Sequence, residues 1–179
     1  MARSRIGLPF LKRSAKKKMA DPDIEKWTQR GSISLWHYKD FPKNYCGYHL
    51  TADQDGCVFL IGLVERFRNA QYPARKQIAL DTPTPDVLSV PNCPRKCIPA
   101  DRVELRFRRD FSDDHWSITE SGREVKIEMG ANGLNDLDRG VGDMILADGD
   151  WSTGSGESSL WFWWHPNTPK QNKRMESNG

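Results

Sequence analysis

The chain runs to 179 residues, with 27 Lys and Arg against 24 Asp and Glu, seven Trp and four Cys. That length suits one domain able to close a hydrophobic core without disulfide staples, and no stretch is long and apolar enough to cross a membrane. The net charge of +3 averages unlike parts: residues 1–18 hold seven basic residues and no acid, while residues 19–165 hold 17 basic and 23 acidic, a net of −6.

Residues 1–27 read as a basic, disordered arm. Its apolar run, Ile6 to Leu11, is interrupted by Pro9 and followed by lysines, which is not a secretory pattern. Met19-Ala-Asp-Pro reads as an ordinary cytosolic N-terminus and is the expected natural start. One α+β domain is expected over 28–165, with a flexible polar tail over 166–179. Ile33 to Lys39, rich in β-branched and aromatic residues, predicts a strand, with Leu35 and His37 on one side and Trp36 and Tyr38 on the other. Asp40-Phe41-Pro42-Lys43-Asn44 breaks it.

Thr51-Ala-Asp-Gln54 has capping-box spacing, and Cys57, Leu60, Ile61, Val64 and Phe67 form a helical stripe behind it. A dominant helix is therefore expected over about 52–69. Ile78 to Leu80 reads as a brief strand and 82–86 and 91–94 as loop. Val103, Leu105 and Phe107 alternate with charged residues, as do Val125, Ile127 and Met129, and Trp116 and Ile118 lie between them. These predict three strands, the last two joined by a hairpin turn at Gly122. Gly130 to Gly142 reads as a polar, Gly-rich connection anchored by Leu134 and Leu137. Asp143 to Ala147 and Ser158 to His165 read as further strands. The sum is an α+β fold: a mainly antiparallel twisted sheet of about 6–7 short strands packed against one dominant helix.

No motif assembles chemistry by itself. Cys93-x3-Cys97 with Cys46-x2-His49 could supply four ligands to a structural zinc, but local thiols with no metal explain the same residues; no cofactor is expected otherwise. Cys46 and His49, with Asp53 as orienter, are the one nucleophile–base combination a hydrolase-like enzyme could use. Asp148 to Glu157 alternates oxygen donors but departs from the helix-flanked calcium loop at its sixth and twelfth positions. Arg102, Arg106, Arg108 and Arg109 could face nucleic acid, with Trp161 and Trp163 as stacking platforms, yet Glu104 and Asp110 are interleaved and the body is net negative, so a cross-strand Arg–Glu ladder is the simpler account. Only the 1–18 arm carries a polyanion-binding signature.

A small soluble cytoplasmic protein-binding or accessory module remains, with an acidic body and an aromatic contact surface. Trp36, Trp151, Trp161 and Trp163 are the candidate contacts, since Trp buries a large area at little entropic cost. The expected partner is a basic protein that this chain occludes, or a second copy of the chain. The four cysteines, with no secretory signal, point to a reducing compartment.

Overall fold

The computed structural model describes residues 21–71, 73–148 and 151–169. The 1–18 arm, the start at Met19 and the tail from 170 onward lie outside the described residues. Helix α1 (Pro22–Lys26) is the first element among the described residues, with the Asp21 carboxylate accepting from the Asp23 amide. Ile24 is buried in the core, so packing begins upstream of the expected domain start at residue 28.

Strands β1 (Ile33–Tyr38) and β2 (Tyr48–Ala52) pair antiparallel, and α2 (Gln54–Asn69) follows at once. Its cap is Asp53, whose carboxylate accepts from the Gly56 amide at 2.7 Å. Thr51, the expected cap, lies in β2 instead, where its hydroxyl donates to the Trp163 carbonyl. β3 (Ala74–Ala79), α3 (Pro85–Ser89), β4 (Cys97–Pro99) and β5 (Arg102–Phe107) come next. Then β6 (Trp116–Ser121) and β7 (Glu124–Met129) form the expected hairpin, with Gly122 at φ +65°. Helix α4 (Ala131–Ile145) and the short strands β8 (Ser152–Thr153) and β9 (Leu160–Trp163) complete the fold.

The α+β class holds, but the single sheet of 6–7 strands does not. There are two mixed sheets, one of five strands in the order β4-β1-β2-β9-β8 and one of four in the order β3-β5-β7-β6. The single dominant helix is also corrected: α4, at 15 residues, nearly matches the 16 of α2 and packs against it. The 130–142 connection and the 143–147 strand are in fact this helix and its exit. Leu134, Leu137, Val141 and Met144 recur every three or four residues and are all buried, each stabilising the fold by about 1.5–3 kcal/mol. Two of its glycines mark close packing. A Cβ at Gly133 would fall 2.8 Å from the Trp116 ring, and one at Gly140 would fall 2.5 Å from Phe162.

The two halves of the chain repeat one topology. The series β1-β2-α2-β3-β5 corresponds to β6-β7-α4-β8-β9, and the halves exchange strands: β9 lies parallel to β2, and β5 lies parallel to β7. Side chains follow the correspondence. Gly56, Cys57, Leu60, Val64 and Phe67 match Gly133, Leu134, Leu137, Val141 and Met144, every pair 77 positions apart (56 to 133) and every residue buried. Leu50 and Leu60 of one half and Ile127 and Leu137 of the other meet in one shared apolar centre.

Candidate functional site

The strand period of two directs Leu35, Leu50 and Phe162 into the core and Trp36, His49 and Trp161 to the opposite, outer side of the five-stranded sheet. Register places those last three side by side on β1, β2 and β9. Their rings stack across the strands: Trp36 on His49 at 5.6 Å between centroids, and His49 on Trp161 at 6.3 Å with planes 9° apart. Trp163 stacks on both His49 and Trp161 at 6.1 Å. Helix α3 covers one end of this ladder. Val87 packs with Trp36, Tyr38 and Trp163, and Leu88, Cys93 and Cys97 lie around them. Trp161 and Tyr45 form the half-buried rim.

His49 is fully buried, and both of its ring nitrogens are engaged. Nδ1 accepts from the Trp163 indole N–H at 2.9 Å, and Nε2–H donates to the Tyr45 carbonyl at 3.1 Å. That pattern requires the neutral ring, and burial lowers its pKa to about 4. Burial likewise raises the Cys46 thiol, aided by nearby Glu157, and lifts Cys97 to about 11. Asp53 is occupied at the cap of α2. Among the described residues neither a Cys46/His49 nucleophile–base pair nor a zinc site from Cys46, His49, Cys93 and Cys97 is assembled: both ring nitrogens of His49 are already engaged, and burial keeps the Cys46 and Cys97 thiols from ionising readily. Among the described residues, all four cysteines are unbridged and no group of three or more His, Cys, Asp or Glu converges as metal ligands. The 148–157 loop instead forms β8 and a turn, with Thr153 donating to Asp136, while Asp150 lies outside the described residues.

The candidate tryptophans divide by exposure. Trp36 is 0 % exposed and Trp163 is 5 %, so both lie inside the single chain and support the surface from beneath. Trp161 keeps exposed area and is held by its indole N–H donating to the Cys46 carbonyl at 2.8 Å. Trp151 is half-buried elsewhere. Its N–H donates to Asp143, and its ring packs on Phe162 and under Arg139. Sequence reasoning missed Tyr45 and Tyr38, which complete the ladder's walls. Tyr38 was visible in the strand alternation, whereas Tyr45 arrives from a turn with no periodic signal.

The outer side of the four-stranded sheet is charged. Arg102 pairs with Glu124, Arg106 with Glu104 and Glu128, and Lys126 with Glu128. This is the Arg–Glu ladder expected from the alternation, and it engages Arg102 and Arg106; Arg108 pairs with Asp110 instead, and Arg109 donates to the Arg68 carbonyl. Among the described residues no helix is long and apolar enough to cross a membrane. The chain matches no known protein family, and no curated protein is detectably similar to it in sequence.

Proposed function

We propose that the protein is a binding module whose Trp161 surface takes up a basic partner protein. The observation that carries this reading is a half-exposed indole fixed by stacking on His49 and Trp163 and by its bond to Cys46, on a body with six more acids than bases. A rigid aromatic anchor loses little entropy on docking, and the charge surplus steers cationic proteins toward it. Glu157 lies beside Cys46, at the edge of the same surface. Four unbridged cysteines support a reducing, cytoplasmic setting.

The test is site-directed photo-cross-linking in extracts of the source cells. A benzophenone amino acid replaces Trp161 in one variant and Gln77, on the charged sheet, in a control. The expected result is a basic protein captured from position 161, with yield falling as salt rises. Capture from position 77 alone, or of an acidic protein, would overturn the assignment.

A further inference from the structure

The two halves differ at one equivalent place. On the five-stranded sheet, the Asp53 amide donates to the Ser32 carbonyl, so Ile33, Leu35 and His37 turn their backbone groups away from β2. All three find partners in the 80–101 segment that links β3 to β5. The Asp81 amide donates to Ile33 at 2.8 Å, the Ala100 amide to Leu35 at 2.9 Å, and β4 pairs with His37 through Ile98. The counterpart of β1 is β6. There the Gly130 amide donates to the His115 carbonyl at 2.8 Å, so Trp116, Ile118 and Glu120 turn their backbone groups away from β7.

The counterpart link, 154–159, is too short to supply a guarding strand. It meets β6 near Trp116, whose indole N–H donates to the Ser158 carbonyl at 2.7 Å. Among the described residues, no backbone group pairs with the edge-facing N–H or C=O of Ile118 or Glu120. The Glu120 side chain is only 26 % exposed while the residue as a whole is exposed, so its backbone faces solvent. A free strand edge is a template for another strand unless Pro, Lys or a bulge guards it. β6 reads Trp-Ser-Ile-Thr-Glu-Ser, in continuous register with β7: it has no Pro, Lys or bulge, and its one charge, Glu120, guards the edge against anionic strands only.

Charge sets the kind of strand. Glu120 accepts from the Tyr48 hydroxyl at 2.8 Å, and Glu157 lies close enough to act on the same phenol. Neither carboxylate has a Lys or Arg partner among the described residues; the one basic side chain recorded within 4 Å is His37, 3.6 Å from Glu120. On the outer side, a cleft of about 310 Å³ runs from Thr119 and Ser121 across the sheet face to Gln77; Arg102, Arg106 and Lys126 line it together with Glu104, Glu120 and Glu124, so it offers room without selecting a sign of charge. We infer that the β6 edge at 118–121 binds an extended, Lys- or Arg-bearing segment of a partner protein by antiparallel strand addition, in the position β4 holds on β1. This rests on the basic-partner reading above for the sign of the charge and adds where and how the segment docks.

The test follows backbone amide exchange by NMR in the full chain, with a short peptide of alternating Lys and Val as probe. In the free protein, the Ile118 and Glu120 amides exchange quickly, while those of Ser117, Thr119 and His37 are slow. Saturating peptide slows Ile118 and Glu120, and a Glu–Val peptide does not. Thr119→Lys, at an exposed position, weakens the Lys–Val peptide about tenfold through edge repulsion, whereas Val58→Lys, at an exposed position on α2, leaves it unchanged. Slow Ile118 and Glu120 amides in the free chain would overturn the proposal. In that case, recovery of fast exchange on dilution assigns the edge to a second copy, and recovery on deletion of residues 1–18 assigns it to this chain's own basic arm. Peptide protection confined to the Trp161 surface would overturn the strand addition yet leave the basic-partner reading standing. Binding of the acidic peptide alone would overturn both.

Discussion

Gly140→Ala and Gly142→Ala add the same methyl group to α4 two residues apart, and each gains about 1 kcal/mol of helix propensity. What the methyl meets differs. At Gly142 nothing lies within 4 Å of the added carbon, so the gain stands. At Gly140 the carbon would sit 2.5 Å from Cγ and Cδ1 of Phe162 and 2.6 Å from Cδ2, over the middle of the ring. Carbon atoms in contact prefer about 3.5–4.0 Å, so an overlap of roughly 1 Å must be relieved. Phe162 cannot yield cheaply: it is 0 % exposed, with the Trp151 ring 5.1 Å away on another side. Overpacking of this kind costs about 1–3 kcal/mol. Gly140→Ala should therefore lower stability by up to about 2 kcal/mol after the propensity gain, while Gly142→Ala raises it by up to about 1 kcal/mol. Urea unfolding reads this as shifted midpoints with an unchanged slope, and in thermal melts the variants separate by several degrees. Equal stability of the two variants would refute the seating of α4 on β9.

Two further outcomes follow from the buried polar groups. His49 is neutral in the fold, its pKa lowered to about 4 from the ordinary 6.5. As pH falls the unfolded chain therefore takes up the proton first. Its contribution is whole above pH 6.5, is lost between 6.5 and 4 by up to about 3 kcal/mol, and changes no further below. Denaturation across that window should show the loss, and His49→Gln should flatten it; an imidazole titrating near its ordinary value would contradict the burial. Gln29 guards the free edge of β3, its amide donating to the Ala79 carbonyl at 2.8 Å and accepting from the Ala79 N–H at 3.0 Å. Gln29→Ala should cost about 1 kcal/mol and speed exchange of the Ala79 amide. An unchanged exchange rate there would show that the edge is held by something else.

What was legible in the sequence follows the range of the interactions involved. β5, β6 and β7 declared themselves by alternation, and α2 by its stripe, because those signals lie within one element. α4 was hidden by its glycines. Gly133 and Gly140 read as loop residues, yet they are small because Trp116 and Phe162 press on the helix. The stripe Leu134, Leu137, Val141 and Met144 was present beneath them. The division into two sheets depends on the parallel pairings of β2 with β9 and β5 with β7, across more than a hundred residues in one case, which no local pattern reports. The aromatic site was half legible. The strand period of two puts Trp161 and Trp163 on one side, but which of them stays at the surface depends on α3, which a loop reading of 82–86 conceals.

The repeat also accounts for why the outer sides of the two sheets differ so sharply. Each half lends its last hairpin to the other, so both inner faces close around the same apolar centre and neither helix has a core of its own. The outer faces carry no such constraint. The link between β3 and β5 is long enough to cross to the five-stranded sheet, cover Trp36 and Tyr38 with α3 and guard β1 with β4. An aromatic ladder under that cover is stable, whereas the same ladder on an open face would be a large apolar patch prone to association. The link between β8 and β9 covers far less, and the sheet it serves carries paired Arg and Glu that water solvates without a lid. Link length thus decides chemistry: the covered sheet can hold aromatics and leave Trp161 and Tyr45 half-buried at its rim, and the uncovered one carries charge. Among the described residues, the short link leaves the outer backbone groups of β6 at Ile118 and Glu120 without a partner, because side-chain polarity solvates a face but does not pair a strand edge.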